Sequence, residues 1–229
     1  MTTLVVLQPS YLPWLGYFDQ LQAADVFVWY DDVQFDKNGW RNRNRIKGPK
    51  GPQWLSVPVL HSGRAEQRID EVIIDNRQPW RRKHLSSVSQ CYARAPFAAA
   101  LMPELQAILE QPWERLVDLD IAAVDWLAGR LGIMTPRHRS SILGIGGDRN
   151  DRLVELCRHF GATRYLSGDA ARSYLDVALF ERNGIEVLWH GYRHPEYPQL
   201  HGDFVTHLSV LDLLLNVGPA ESLAVLANR

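Results

Sequence analysis

Residues 36–50, DKNGWRNRNRIKGPK, set Lys37, Arg41, Arg43, Arg45, Lys47 and Lys50 against a single acid, Asp36. Arg41, Arg43 and Arg45 alternate with Asn42 and Asn44, which in an extended segment places guanidinium groups on one face and amides on the other. A row of planar cationic forks suits phosphate or carboxylate recognition; as a purely structural feature the same run is a solvated basic loop. Near the other end, HPEYPQLHGDF holds His194, Tyr197 and Gln199 around Pro195 and Pro198, two residues that restrain the backbone. Histidine is the side chain matched to proton transfer near neutral pH, and His194 would serve equally well by bonding a neighbouring strand. QPSYLPW supplies Gln8, Tyr11 and Trp14; further on stand the acid pair Asp31 and Asp32, and then Ser167.

Several chemistries lack their spacing. His190 and His194 lie four apart, but Gly191 and Pro195 work against a shared helical face, and no Cys cluster or His-Glu-x-x-His pattern supports a metal. Cys91 and Cys157 fall inside helical patterns without a following glycine turn, which suits inert packing better than nucleophilic catalysis. No Gly-x-Ser-x-Gly elbow exists. Gly144, Gly146 and Gly147 precede a predicted helix and would let a phosphate approach its N-terminus, but they match neither a dinucleotide fingerprint nor a phosphate loop; a plain turn capped by Asp148 or Asn150 fits as well.

The elements that must position these groups follow from periodicity. Leu4 to Leu7 is a continuous apolar run, the pattern of a strand covered on both faces. Pro9 and Pro13 stop it, a helix is predicted over residues 15–23, and a second strand over 26–30 runs into Asp31. Strand, helix, strand over so short a span implies a parallel crossover, with Gln8 and Asp31 at neighbouring carboxyl ends, the edge where open parallel sheets bind ligands. Further strands are expected over 54–60, 69–75, 137–143, 163–166 and 185–189. Helices are expected over 80–92, 98–109, 113–131, 150–160 and 170–183, with Ser209 capping a last one. The alternation makes this an α/β layered fold with a mainly parallel sheet flanked by helices.

The 229 residues suffice for one domain spanning 1–229. A composition of 46% hydrophobic and 22% charged residues reads as globular and soluble, and a net charge of -1 argues against duplex DNA as partner. Two cysteines indicate free thiols in a reducing compartment. With no basic leader and no apolar run long enough for a membrane span, the cytoplasm is the expected location.

QPSYLPWLGYF, DVFVWYDDVQF, KNGWRNRNRI, YLSGDAARSYLD, HPEYPQLHGDF and LSVLDLLLNVG occur in the order of the WbqC-like family of bacterial proteins, which the whole chain resembles. That resemblance implies a place in gene clusters for surface polysaccharides or specialised metabolites, and so a nucleotide-sugar-like acceptor. The opening unit is also similar in layout to nucleotidylyltransferases and to ligases that act through an adenylate. Their His-x-Gly-His-type motif is replaced here by Pro13, Trp14, Leu15, Gly16 and Tyr17.

The expectation is therefore a transferase moving an acyl or aminoacyl group, from a carrier protein or an aminoacyl-tRNA, to an amine of a small anionic, phosphate-bearing acceptor. His194 or Asp31 would act as base, and Lys37 with Arg41 would neutralise developing charge. Gln8, Tyr11, Trp14, Asp32, Arg41, Asn42, Arg43, Ser167, Tyr197 and Gln199 would bind substrate. A nucleotidyl-transferring or adenylate-forming enzyme and a non-catalytic nucleotide-sugar binder are the alternatives, and the sequence names no cofactor.

Overall fold

A computed structural model describes residues 1–36, 39–63 and 66–227. In it the first apolar run is β1 (Thr3–Leu7), followed by α1 (Leu15–Ala23) and β2 (Val26–Trp29). A hairpin of β3 (Arg43–Gly48) and β4 (Gly51–Ser56) comes next. Three helices follow, α2 (Trp80–Cys91), α3 (Ala98–Leu109) and α4 (Leu116–Arg130). The chain then returns to the sheet through β5 (Arg137–Arg139), α5 (Ser140–Leu143), α6 (Arg149–His159), β6 (Arg164–Ser167), α7 (Val177–Arg182) and β7 (Glu186–Trp189). It finishes with α8 (Val210–Val217) and α9 (Pro219–Ala227).

Five strands form one sheet in the order β5-β2-β1-β6-β7, and all four pairings are parallel. The chain is thus α/β, with the expected parallel sheet flanked by helices. Strand periodicity explains the apolar runs: Val5, Phe27 and Trp29 face one core, while Leu4, Val6 and Val28 face another built with Leu156, Cys157 and Phe180. Each fully buried Phe or Leu contributes roughly 1.5–3 kcal/mol. Because β1 is central, the chain runs outward through β2 to β5 and then crosses to β6 on the other side. The order therefore reverses between β1 and β6, and the crevice beyond their carboxyl ends is where doubly wound sheets take ligands.

Four expected elements come out differently, the first being the strand expected over 54–60, which runs instead over Gly51–Ser56. Residues 69–75 form no continuous strand but a 3-10 turn, Ile69–Glu71, followed by isolated bridges, since Ile69 N, Asp70 N and Ile74 N donate to three separate carbonyls, those of Val33, Asp31 and Glu114. The strand expected over 137–143 ends at Arg139, where Ser140 and Ser141 turn inward to bond Asp31. The helix expected over 170–183 divides, because the Asp176 side chain accepts from Leu179 N at 3.1 Å and starts α7 afresh. Ser209 caps α8 as expected, accepting from Leu211 N at 3.2 Å. No helix among the described residues is long and apolar enough to cross a membrane.

Candidate active site

Between β1 and α1 the chain makes a tight turn whose Leu12 has φ 44°. Tyr11 N donates to Arg41 O at 3.0 Å, Asn44 Nδ2 donates to Leu12 O at 2.8 Å, and Val210 N donates to Pro13 O at 2.8 Å. The turn is thereby clamped between the hairpin and α8. It delivers Trp14 onto Gly16, where a Cβ would sit 2.3 Å from the indole. Only glycine lets the ring lie there.

Gln8, Trp14, Tyr17, Gln20, Arg41 and His207 line a cavity of about 290 Å³ beyond the carboxyl end of β1. Tyr17 Oη, Gln20 Oε1 and Arg41 Nε are buried and find no hydrogen-bond partner among the described residues. Buried polar groups are normally satisfied, so three orphans around one cavity mark a place where a polar ligand completes the bonding. Burial lowers the Arg41 pKa while Tyr17, Asp120 and Asp36 raise it. Asp120, fully buried below, has both carboxyl oxygens without a hydrogen-bond partner among the described residues; burial pushes its pKa well above the usual carboxylate range, against the pull of Arg41.

Gln8 also borders a second cavity, of about 700 Å³, with Tyr30, Asp36, Gly147, Arg149 and Arg152. The glycine turn expected before α6 is therefore at this edge. Its helix is capped by Asp148, which accepts from Asn150 N and Asp151 N at 3.0 Å each. Gln8 is the wall shared by two compartments, one lined by Arg41 and the other by Arg149 and Arg152.

Asp31 lies at the same edge but is fully enclosed. It accepts from Arg139 Nε at 2.6 Å, Ser141 Oγ at 2.8 Å and Ser141 N at 2.9 Å, while its own backbone N–H donates to Ser140 Oγ at 3.2 Å. Three donors hold the carboxylate and bind the end of β2 to β5. Asp32 accepts from Ser140 Oγ at 2.5 Å and from Arg152. Burial works to raise the Asp32 pKa, but Ser140 and Arg152 hold it below the ordinary value.

The two ends of the chain meet at Trp14. Its ring stacks on His207 at 4.9 Å and on His194 at 6.5 Å, and meets the Tyr192 edge at 4.9 Å. His194 lies 5.4 Å from His207, and it is the His207 ring that lines the cavity, from a backbone at φ 58°. Such a conformation is uncommon for a residue with a Cβ and concentrates at functional sites. His194 Nδ1 donates to Pro195 O at 2.9 Å; because a carbonyl only accepts, Nδ1 carries the proton and the buried Nε2 presents its lone pair. Burial pulls the His194 pKa below its ordinary value, with the Pro195 carbonyl opposing and His207 reinforcing the fall. Beneath this cluster His190 Nε2 pairs with the buried Asp19.

The other expected residues have identifiable positions. Tyr11 is wholly buried with Oη 2.9 Å from His84 Nδ1, and Asn42 Nδ2 donates to Val57 O at 2.8 Å. Arg43 lies over the Trp54 ring at 4.7 Å. Tyr197 Oη donates to Asp212 at 2.9 Å, and Gln199 both donates to and accepts from Val205, which braces the loop carrying His207. Ser167 ends β6 buried, its carbonyl accepting from His190 N at 2.9 Å. Lys37 lies outside the described residues.

Gln8, Trp14 and Arg41 thus share one cavity, with His194 stacked behind Trp14, whereas Tyr11, Asn42, Tyr197 and Gln199 are engaged in bonds that shape its walls. Sequence reasoning passed over Tyr17, Gln20, Asp19, His207, Arg149 and Arg152. A usable signal existed in α1, where Asp19 and Gln20 interrupt an apolar helix yet are 2% and 6% exposed. Polar residues buried on a short helix point to a partner or a ligand.

The family model for the WbqC-like protein family matches residues 8–223. The chain belongs to the WbqC-like family. The match begins at Gln8 and takes in Trp14, Tyr17, Gln20, Arg41 and His207 of the cavity. Rv1507c, an uncharacterized protein of Mycobacterium tuberculosis, is 39% identical over 220 residues, covering 95% of this chain and 95% of its own length. No solved structure matches this member of the family.

Proposed function

We propose that this family member is a cytoplasmic enzyme of polysaccharide or specialised-metabolite biosynthesis that transfers an acyl or aminoacyl group to an amine of a phosphate-bearing, nucleotide-sugar-like acceptor. The single observation that carries this reading is the position of Gln8 between two cavities, one edged by Arg149 and Arg152 and the other holding the unpaired Tyr17, Gln20 and Arg41 atoms. The acceptor's phosphates lie along Arg149 and Arg152, Gln8 orients its middle, and its amine enters beside Trp14 and His207.

There the amine nitrogen attacks the donor carbonyl carbon. Arg41 and Tyr17 donate to the oxyanion that develops, as preorganised donors in a site shielded from water. His207, backed by His194 with its bare Nε2, takes the proton lost by the amine. It returns that proton to the departing oxygen or sulfur, so that a C–N bond forms as the ester or thioester bond breaks. The ring stacking on Trp14 keeps the two histidines in register. Asp31, engaged by three donors, holds β2 to β5 in this scheme and does not take the proton.

Mass spectrometry of mixtures of the protein with nucleotide-linked amino sugars and activated acyl or aminoacyl donors tests the proposal. Amide product formed without ATP, and lost in His207→Ala, supports it. Product that requires ATP and releases pyrophosphate replaces it with the adenylate-forming alternative.

A further inference from the structure

The hairpin carries a second surface that extends beyond the acceptor cavity. Arg43 and Arg45 alternate along β3, and Trp54 lies directly across from Arg45 on β4, so all three share one face. Trp40 joins them, its ring 5.2 Å from Trp54. Arg43 stands 4.7 Å over the Trp54 ring, and Arg45 stands 5.6 Å from Trp40 and 5.7 Å from Trp54. Although such large rings normally bury themselves, Trp40 is 41% and Trp54 49% exposed.

The strip also leads somewhere. Trp40 lines the Gln8 and Arg41 cavity, while Trp54 lines a different cavity, of about 590 Å³, together with Ser56, Arg82 and Lys83. Two exposed indoles interleaved with guanidinium groups therefore connect a basic hollow to the site where the amine would react.

We propose that this strip seats the single-stranded 3′ end of an RNA that carries the aminoacyl donor. Bases stack on the two indoles, phosphates pair with Arg43, Arg45, Arg82 and Lys83, and the terminal ribose reaches the cavity past Trp40. The inference rests on the transferase reading and fixes its donor. The acceptor amine attacks the aminoacyl ester carbon, the C–O bond to the terminal ribose breaks, and that oxygen leaves with the proton taken from the amine. Local placement of the cations agrees with a net charge of only -1 for the chain, which offers no general attraction for duplex nucleic acid. A carrier protein's pantetheine arm has no flat rings to lay on Trp40 and Trp54.

The test is fluorescence anisotropy with a labelled, unstructured RNA of about twelve nucleotides, titrated with wild type and Trp54→Ala at salt between about 50 and 200 mM. Saturable binding that weakens with salt and falls about tenfold in Trp54→Ala is expected, with a blunt RNA duplex binding more weakly. Trp54 lies outside the acceptor cavity, so acceptor binding stays unchanged in the same variant. The inference is overturned if RNA fails to bind, if Trp54→Ala binds it as well as wild type, or if a pantetheinylated carrier protein binds in its place and loses affinity in Trp54→Ala. RNA binding that behaves as expected while no transfer from charged RNA occurs upholds the strip and rejects the transferase reading. Transfer from a carrier thioester without RNA binding does the reverse.

Discussion

Arg139 Nε donates to the buried carboxylate of Asp31 at 2.6 Å while its Nη1 reaches Asp118 at 3.1 Å. One guanidinium thus joins the end of β2, the end of β5 and the start of α4. Neutralising Asp31 leaves Arg139 its Asp118 partner but replaces one acceptor of Arg139 and Ser141 by a donor, at a cost of about 1–3 kcal/mol. Asp31→Asn should therefore lower the urea midpoint, as read by circular dichroism. An unchanged midpoint with lost activity would instead make Asp31 the catalytic base.

His84 sits in a chain of fixed polarity. Its Nε2 lies 3.2 Å from Ser56 O, which can only accept, so Nε2 holds the proton and Nδ1 accepts from the Tyr11 hydroxyl at 2.9 Å. Burial pushes the His84 pKa down to about 4, with the Ser56 carbonyl opposing. A histidine with a depressed folded pKa binds fewer protons folded than unfolded. Its contribution, on the order of 3 kcal/mol, is present above pH 6.5 and lost as pH falls toward 4. Urea midpoints of wild type and His84→Gln should differ most at pH 7 and converge by pH 4. A gap that does not change with pH would contradict this assignment.

The sheet was legible because each strand carries apolar residues for two cores, and such runs look alike wherever helices cover both faces. Gln8 and Arg41 were legible because proline, glycine and alternating arginine mark loops. What could not be read was bonding set at long range. The hydrogen-bond partners of Asp31 come from residues more than a hundred positions away, Ser140 and Ser141, which the local pattern assigned to a strand. Similarly, residues 69–75 alternate like a strand, but their amides answer to three separate segments. His207 escaped notice because neither its spacing nor its neighbours signal that its ring stacks on Trp14.

His194, 5.4 Å from His207, can support the proton transfer to that ring through its bare Nε2 only in its neutral form. Because burial pulls its pKa below the ordinary value, the rate should rise with pH on the acid side and level off before neutrality. His194→Ala should lower the rate by about 10²-fold to 10⁴-fold with an unchanged melting temperature. A variant that keeps its rate but melts lower would show that the ring only packs against Trp14.

Gly16 is placed to report on the Trp14 wall. A methyl group there would meet the indole at 2.3 Å and force it aside, without backbone strain. Gly16→Ala should weaken acceptor binding about tenfold, the level of one lost aromatic contact, and alter tryptophan fluorescence. Wild-type affinity in this variant would remove Trp14 from the site.

The central claim is that the two cavities joined at Gln8 hold a phosphate-bearing amine, its phosphates along Arg149 and Arg152, and calorimetric titration of nucleotide-linked amino sugars into wild type and Arg149→Gln tests it most directly. Wild type should bind, and the variant should lose about 1.5–3 kcal/mol, the range for hydrogen bonds to a charged group, with its fold intact. Equal affinity in the two proteins, or no binding by wild type of any such compound, would contradict it.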